Sequence, residues 1–378
     1  MRLRATTLII CAFFVSAISK AVSLGDREGA ARDTAQLNAL CVAIQPFYWE
    51  IGNGSNSFPL VGDTEPSTAT YPTASTRLSI ASASKWIYAS YVAEKVADYY
   101  AAYGGQTQGS SGQNTALPLP PAEVSFLTMT SGYHSLEIAA CLGNGIDTVR
   151  ECLTAAHSNS DDPGYNNDYD PGDVGKFYYN GGHFQKHATL ADDYTVAVYP
   201  PPFVMDLGDE GELGLQADVE NVLGGNYTLE YSNLMLAAGV HASATDYANF
   251  LRQILNGDLE MRWLLGTHAV CASSDPAVCP TTLYTPLPVG YAWHYSIGHW
   301  VEDDPDPTRG DGAFSSAGAL GFYPWIWIDP ADPASAWYGI VERGLGPTVQ
   351  QVNDDTIGFE SVLCGRAIRT AWLTGEAQ

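Results

Sequence analysis

Leu78-Ser79-Ile80-Ala81-Ser82-Ala83-Ser84-Lys85-Trp86 is the stretch on which the reading of this chain turns. An apolar approach delivers Ser82, and Lys85 follows three residues later, ahead of a helical run marked by Ile87, Tyr88, Tyr91, Val92 and Val96. Residues three apart on a helix share a face, so a Ser-x-x-Lys at a helix start brings hydroxyl and amine within hydrogen-bonding reach. It also aims the helix N-terminus, with its unpaired N–H groups, at whatever the hydroxyl attacks. A serine hydroxyl is a weak nucleophile until a neighbouring base takes its proton. Lysine serves as that base when desolvation or nearby positive charge lowers its pKa. The plain alternative is a surface lysine one turn from a helix-capping serine.

Composition narrows the field. At 378 residues the chain is long enough for a large core. The formal charge of -25 argues against nucleic acid or an anionic membrane surface as partner, because both require clustered Lys and Arg. At the start, Arg2 and Arg4 precede an apolar run, Ala5 to Ile18, that ends among small residues near Ala17 and Ala21. This pattern predicts a signal peptide over residues 1–21, and so a secreted or periplasmic protein with no membrane attachment once it is removed. Its loss takes Cys11 and leaves six of the seven cysteines, an even number suited to an oxidising compartment. Nearness in sequence favours Cys141 with Cys152 and Cys271 with Cys279, which leaves Cys41 with Cys364. No C-x-x-C pair supports a zinc site instead.

Along the chain, a polar leader runs to about Asp33 and a short helix is expected from Ala35 to Ile44. Phe47 to Ile51 reads as a strand before a Gly52-Asn53-Gly54 turn, with a second strand near Phe58 to Val61 and a loop from Asp63 to Thr76. The helix from Ser82 fades near Tyr103 into a Gly/Ser/Gln link, Gly104 to Asn114. Helices are expected at Leu136 to Cys141, Ile146 to Ala156, and Tyr247 to Leu255, the last stopped by Asn256-Gly257. From Tyr291 the texture is strands, over Tyr291 to Val301, Phe314 to Ile328 and Ala336 to Val341, then a closing helix from Phe359 to Leu373. These elements suggest one large domain, or two intimately joined lobes, over residues 35–374, with a mixed sheet flanked by helices and a helical subdomain inserted. The sheet part covers about 35–80 and 286–374, and the helical part about 86–285.

Four segments, in order, resemble the serine β-lactamase and penicillin-binding-protein superfamily on its class C-like esterase side. They are Ile80-Ala81-Ser82-Ala83-Ser84-Lys85, Phe126-Leu127-Thr128-Met129-Thr130-Ser131-Gly132, Phe177-Tyr178-Tyr179-Asn180-Gly181-Gly182-His183, and Ser316-Ala317-Gly318-Ala319-Leu320-Gly321-Phe322. The resemblance spans about Phe47 to Leu373. It implies an α+β, transpeptidase-like fold, with an antiparallel sheet flanked by helices and an inserted helical subdomain. It also implies Ser82 as nucleophile, Lys85 as base, and a catalytic tyrosine from the third segment. Reading Tyr-x-Asn selects Tyr178 with Asn180. Aligning Phe-x-Tyr with the following His183-Phe184-Gln185 selects Tyr179, with Gly181 where the asparagine would be. A phenol beside a Lys cation loses its proton more readily and can pass it on.

The resemblance further implies an oxyanion hole from the N–H groups of Ser82 and Ala319, and substrate contacts from Asn180, Gly181, Ser316 and Gly318. Ser316 replaces the family's lysine or histidine, a cation that normally meets a substrate carboxylate. Recognition of β-lactams and peptide C-termini is therefore not expected. No cofactor or metal is implied. His183 and His187 stand four apart without a zincin glutamate, and the acidic stretch Ser160 to Asp173 lacks EF-hand spacing. No G-x-S-x-G elbow supports an α/β-hydrolase. Trp86, Trp293, Trp325 and Trp327 read as core, with Trp325 a candidate for the pocket wall. The expected function is an exported serine hydrolase acting on a small ester or amide through an acyl-enzyme. The alternatives are a DD-peptidase or β-lactamase, and an inactive binding module.

Overall fold

The computed structural model describes residues 22–102, 118–159, 161, 163–190, 205–343 and 356–378. The expected signal peptide and the Gly/Ser/Gln link lie outside the described residues. In chain order the framework consists of helix α1 (Leu24–Leu37), strands β1 (Phe47–Gly52) and β2 (Val61–Glu65), helix α2 (Ser84–Ala102) and helix α3 (Ala244–Asn256). These are followed by β3 (Val270–Cys271), β4 (His294–Tyr295), β5 (Trp300–Glu302), β6 (Ala313–Ser315), β7 (Phe322–Ile328), β8 (Ala336–Glu342) and helix α4 (Thr356–Thr374). The eight strands form one antiparallel sheet in the order β2-β1-β8-β7-β6-β5-β4-β3. Short helices and two smaller sheets, one of which takes in Leu78–Ser79 just before α2, occupy much of the stretch between β2 and β4.

Strand β7 shows why the sequence gives this arrangement. Phe322-Tyr-Pro-Trp-Ile-Trp-Ile is an apolar run because helices cover both faces of the sheet there. Successive side chains alternate. Tyr323 and Trp325 meet Arg369 of α4, while Phe322 packs on Tyr247 of α3 at 5.1 Å between ring centroids. Arg369 is fully buried and charge-balanced, donating to Glu302 (2.6 Å), to both Asp311 oxygens (2.7 and 2.9 Å) and to Tyr323 (2.7 Å). Helix α3 is bounded by readable signals. A reciprocal Ser243–Asp246 capping box opens it, and left-handed Gly257 (φ 76°) closes it.

Several boundaries depart from expectation. The polar leader is in fact helical. Ser23 caps α1, whose small buried face of Ala30, Ala31 and Ala35 packs on α4, and Arg27 donates to the Trp372 carbonyl at the end of α4 (2.6 Å). The second strand lies at Val61–Glu65, within part of the expected loop, because pairing with β1 outweighs its polar composition. Edge strand β3 belongs to the sheet although its residues fall within the stretch read as helical. Disulfides join Cys41 to Cys364, Cys141 to Cys152 and Cys271 to Cys279.

Candidate active site

The nucleophile turn is fixed from several directions. Leu78–Ser79 pairs with Val240–Ala242, and Ile80 N–H donates to the Val240 carbonyl (3.0 Å). The Ser84 hydroxyl donates to the Ala81 carbonyl (2.7 Å) and accepts from Val240 N–H (3.2 Å), while the Tyr247 hydroxyl donates to the Ala83 carbonyl (2.9 Å). Ala81, immediately before Ser82, sits at φ 46°, a left-handed conformation that costs a side-chain-bearing residue energy and is held by these bonds. Gly318 explains a close approach. A Cβ there would stand 2.2 Å from the Ile80 carbonyl oxygen, so only glycine lets the turn after β6 lie against the nucleophile.

Helix α2 then presents Lys85 one turn on. Its Nζ donates to Ser82 Oγ (2.9 Å) and to the Ala237 carbonyl (3.1 Å), in the segment that leads into the strand paired with Leu78–Ser79. Lys85 is 3% exposed, and burial lowers its pKa from 10.5 to about 7. The amine also lies 4.7 Å from the centroid of the Tyr179 ring. Burial pushes the Tyr179 phenol's pKa up to about 12, against a lowering influence from the neighbouring Ser82 side chain.

Strand alternation separates the two adjacent tyrosines. Phe177–Tyr178 runs parallel to Thr282–Tyr284, and Tyr179 N–H donates to the Tyr284 carbonyl (3.1 Å). Tyr179 stacks on Trp300 at 5.2 Å beside Ser82, whereas Tyr178 stacks on His134 at 4.2 Å and lines a different cavity with Asn180. The Asn180 side chain is occupied in its own turn, accepting from Gly182 N–H (2.7 Å) and Leu136 N–H (3.2 Å). Gly181 precedes the short helix Gly182–His187, close to Ala237 and Leu136. Ser316 donates to the Ser82 carbonyl (3.4 Å), bracing the nucleophile from the strand side.

The second sequence segment acts as a brace. The Met129 carbonyl accepts from Tyr178 N–H (3.1 Å), and the Ser131 hydroxyl donates to His183 Nδ1 (2.7 Å). His183 Nε2 in turn donates to the Tyr178 carbonyl (3.0 Å), and burial depresses its pKa to about 3, which keeps the ring neutral. His187 is directed elsewhere, to the Tyr88 hydroxyl at 2.8 Å, so the two histidines share no ligand position. In the acidic loop, Asp173 meets His134 (3.0 Å) and the Lys176 ammonium (3.1 Å).

Ser82, Tyr179, Gly318 and Ala319 open into one cleft of about 100 Å³, walled by Pro286, Leu287, Trp293, Trp300, Ala317, Gly358, Phe359 and Val362. Sequence reasoning missed most of this wall. Trp293 and Trp300 line it, whereas Trp325, the expected wall residue, is buried beneath Arg369. Phe359 and Val362 come from α4, far along the chain, and the Ala237 carbonyl carries no side-chain signal at all.

No protein-family model and no curated protein matches the chain. Solved structures do match. A candidate β-lactamase from Bacteroides dorei DSM 17855 aligns with a TM-score of 0.50 and 18% identity, over 87% of this chain and 93% of that one. A D-amino acid amidase from Ochrobactrum anthropi SV3, complexed with L-phenylalanine, aligns with a TM-score of 0.51 and 10% identity, over 92% and 99% of the two chains. At such identities the likeness concerns architecture. With its antiparallel sheet, flanking helices and the segments quoted above, this chain has the fold of the serine β-lactamase/penicillin-binding-protein-like superfamily.

Proposed function

We propose that the chain is an exported serine hydrolase that cleaves an ester or amide bond through an acyl-enzyme on Ser82, with the closest analogy to class C-type esterases. One observation carries this reading. A buried amine, held near neutrality by desolvation, lies 2.9 Å from a hydroxyl that opens into a cleft. Neutral Lys85 takes the Ser82 proton as Oγ attacks the carbonyl carbon. The oxyanion is received by the N–H groups of Ser82 and Ala319, both at the cleft. Tyr179, in contact with the Lys85 amine and the Ser82 hydroxyl, relays the proton to the departing alkoxide or amine. Water then attacks the acyl-enzyme along the same relay in reverse, returning Ser82 and releasing the acid.

Export is supported by the three disulfides and the signal-like leader. Among the described residues no helix is long and apolar enough to cross a membrane. A structural neighbour named as an amidase keeps amides beside esters as substrates. A fluorophosphonate probe tests the assignment. It should label wild-type protein on the peptide containing Ser82, and Ser82→Ala should lose both labelling and turnover while keeping its circular dichroism. Full hydrolysis by Ser82→Ala would remove the mechanism.

A further inference from the structure

The wall of the cleft is a continuous aromatic surface. Tyr179 stacks on Trp300 (5.2 Å between centroids, 18° between planes). Trp300 meets Trp293 at 6.4 Å, and Trp293 meets Phe359 at 6.2 Å. The rings are locked from behind. Tyr295 packs edge-on against Trp300 at 4.9 Å, and Tyr291 edge-on against Phe359 at 5.0 Å. The rest of the side-chain lining includes Leu287, Pro286, Ala317 and Val362, and among the described residues no charged side chain lines the cleft. Arg366 does touch this wall, 5.7 Å from the Trp293 ring, but Glu302 stands 3.4 Å from its Nε and neutralises it.

Such a surface rewards apolar contact, and beyond the Ser82 and Ala319 N–H groups kept for the reacting carbonyl its described lining offers a substrate carboxylate no cationic partner. An ionised carboxylate entering it sheds water without compensation, which is costly in a low-dielectric site. A flat ring, by contrast, can stack on a rigid aromatic wall that loses little entropy on binding. We propose, resting on the hydrolase reading above, that the substrate is an uncharged ester or amide. The group filling the cleft is apolar and no larger than a phenyl ring or short alkyl chain. Trp293 and Phe359 set that limit.

The experiment uses matched pairs differing by one carboxylate. On the acyl side these are 4-nitrophenyl phenylacetate and 4-nitrophenyl (4-carboxyphenyl)acetate. On the alcohol side they are 4-nitrophenyl acetate and 3-carboxy-4-nitrophenyl acetate. Each rate is corrected for hydrolysis without protein. The neutral member should be favoured in kcat/KM by at least about tenfold in one pair or both. Trp293→Ala should move the preferred acyl length upward in a 4-nitrophenyl ester series from acetate to octanoate. Equal turnover of charged and neutral members in both pairs overturns the inference, as does an unchanged chain-length optimum in Trp293→Ala. Fluorophosphonate labelling without hydrolysis of any ester overturns this inference alone. Absence of labelling overturns the hydrolase reading and this inference with it.

Discussion

Replacing Lys85 by methionine removes the amine while keeping the volume of its stem, so it separates the charge from the packing. In the folded chain burial holds the amine near 7, against 10.5 when exposed. Between those values the unfolded chain binds a proton that the folded chain does not. Wild-type stability should therefore rise with pH across this window. The whole gap corresponds to about 5 kcal/mol, of which about 2 kcal/mol falls between pH 7 and pH 9. The methionine variant has nothing to titrate there. It also loses the bonds to Ser82 and Ala237, but that loss does not vary with pH, so the slope carries the test. Urea unfolding at pH 7 and pH 9 should show wild type gaining about 2 kcal/mol on the variant over that interval. Turnover by the variant should fall about 100- to 10,000-fold, and wild-type kcat/KM should rise tenfold per pH unit below about pH 7 and then level. A constant stability offset between the two pH values, or near-normal turnover by the variant, would refute the buried neutral amine.

Tyr179→Phe should lower kcat roughly 100-fold with KM little changed, and Tyr178→Phe should stay within about threefold of wild type. The reverse ranking would put the relay on the other phenol. Nitrocefin and penicillins should be turned over poorly, because by the family resemblance Ser316 replaces the cation that meets their carboxylate and no charged side chain lines the cleft among the described residues; efficient turnover of a purified penicillin would show that reasoning to be wrong. Arg369→Met should cost about 3–5 kcal/mol, since Glu302 is left with only the more distant Arg366 Nε (3.4 Å) and Asp311 loses both of its bonds to the guanidinium. A loss below about 1 kcal/mol in urea unfolding would mean these carboxylates rely on other partners.

What could be read from the sequence was local or periodic. The helix ending at Asn256-Gly257 was legible because capping chemistry is written in adjacent residues. Strand β8 was legible because two-sided burial leaves an apolar run, whereas the single strand expected from Phe314 to Ile328 divides into β6 and β7 around a turn. The Ser82–Lys85 spacing needed only the helical repeat to bring amine and hydroxyl together. Helix α1 escaped notice because its buried face is alanine, which carries little hydrophobic signal, and its partner α4 lies at the other end of the chain. Choosing between Tyr178 and Tyr179 required the pairing register with Thr282–Tyr284, a contact about a hundred residues away in sequence. The aromatic wall and the Ala237 carbonyl were equally out of reach. Tertiary contacts and a backbone atom leave no pattern in neighbouring residues.

The Cys41–Cys364 bridge closes a loop of 323 residues, and in the chain-entropy picture such a closure is worth about 5–6 kcal/mol by restricting the unfolded ensemble. Its far anchor sits on α4, two residues past Val362 and five past Phe359, two of the side chains that line the cleft. Oxidation at the chain's two ends therefore underwrites the shape of the cavity beside Ser82. Made where thiols stay reduced, the same polypeptide would keep its nucleophile and base but lose the clasp that holds its selectivity in place.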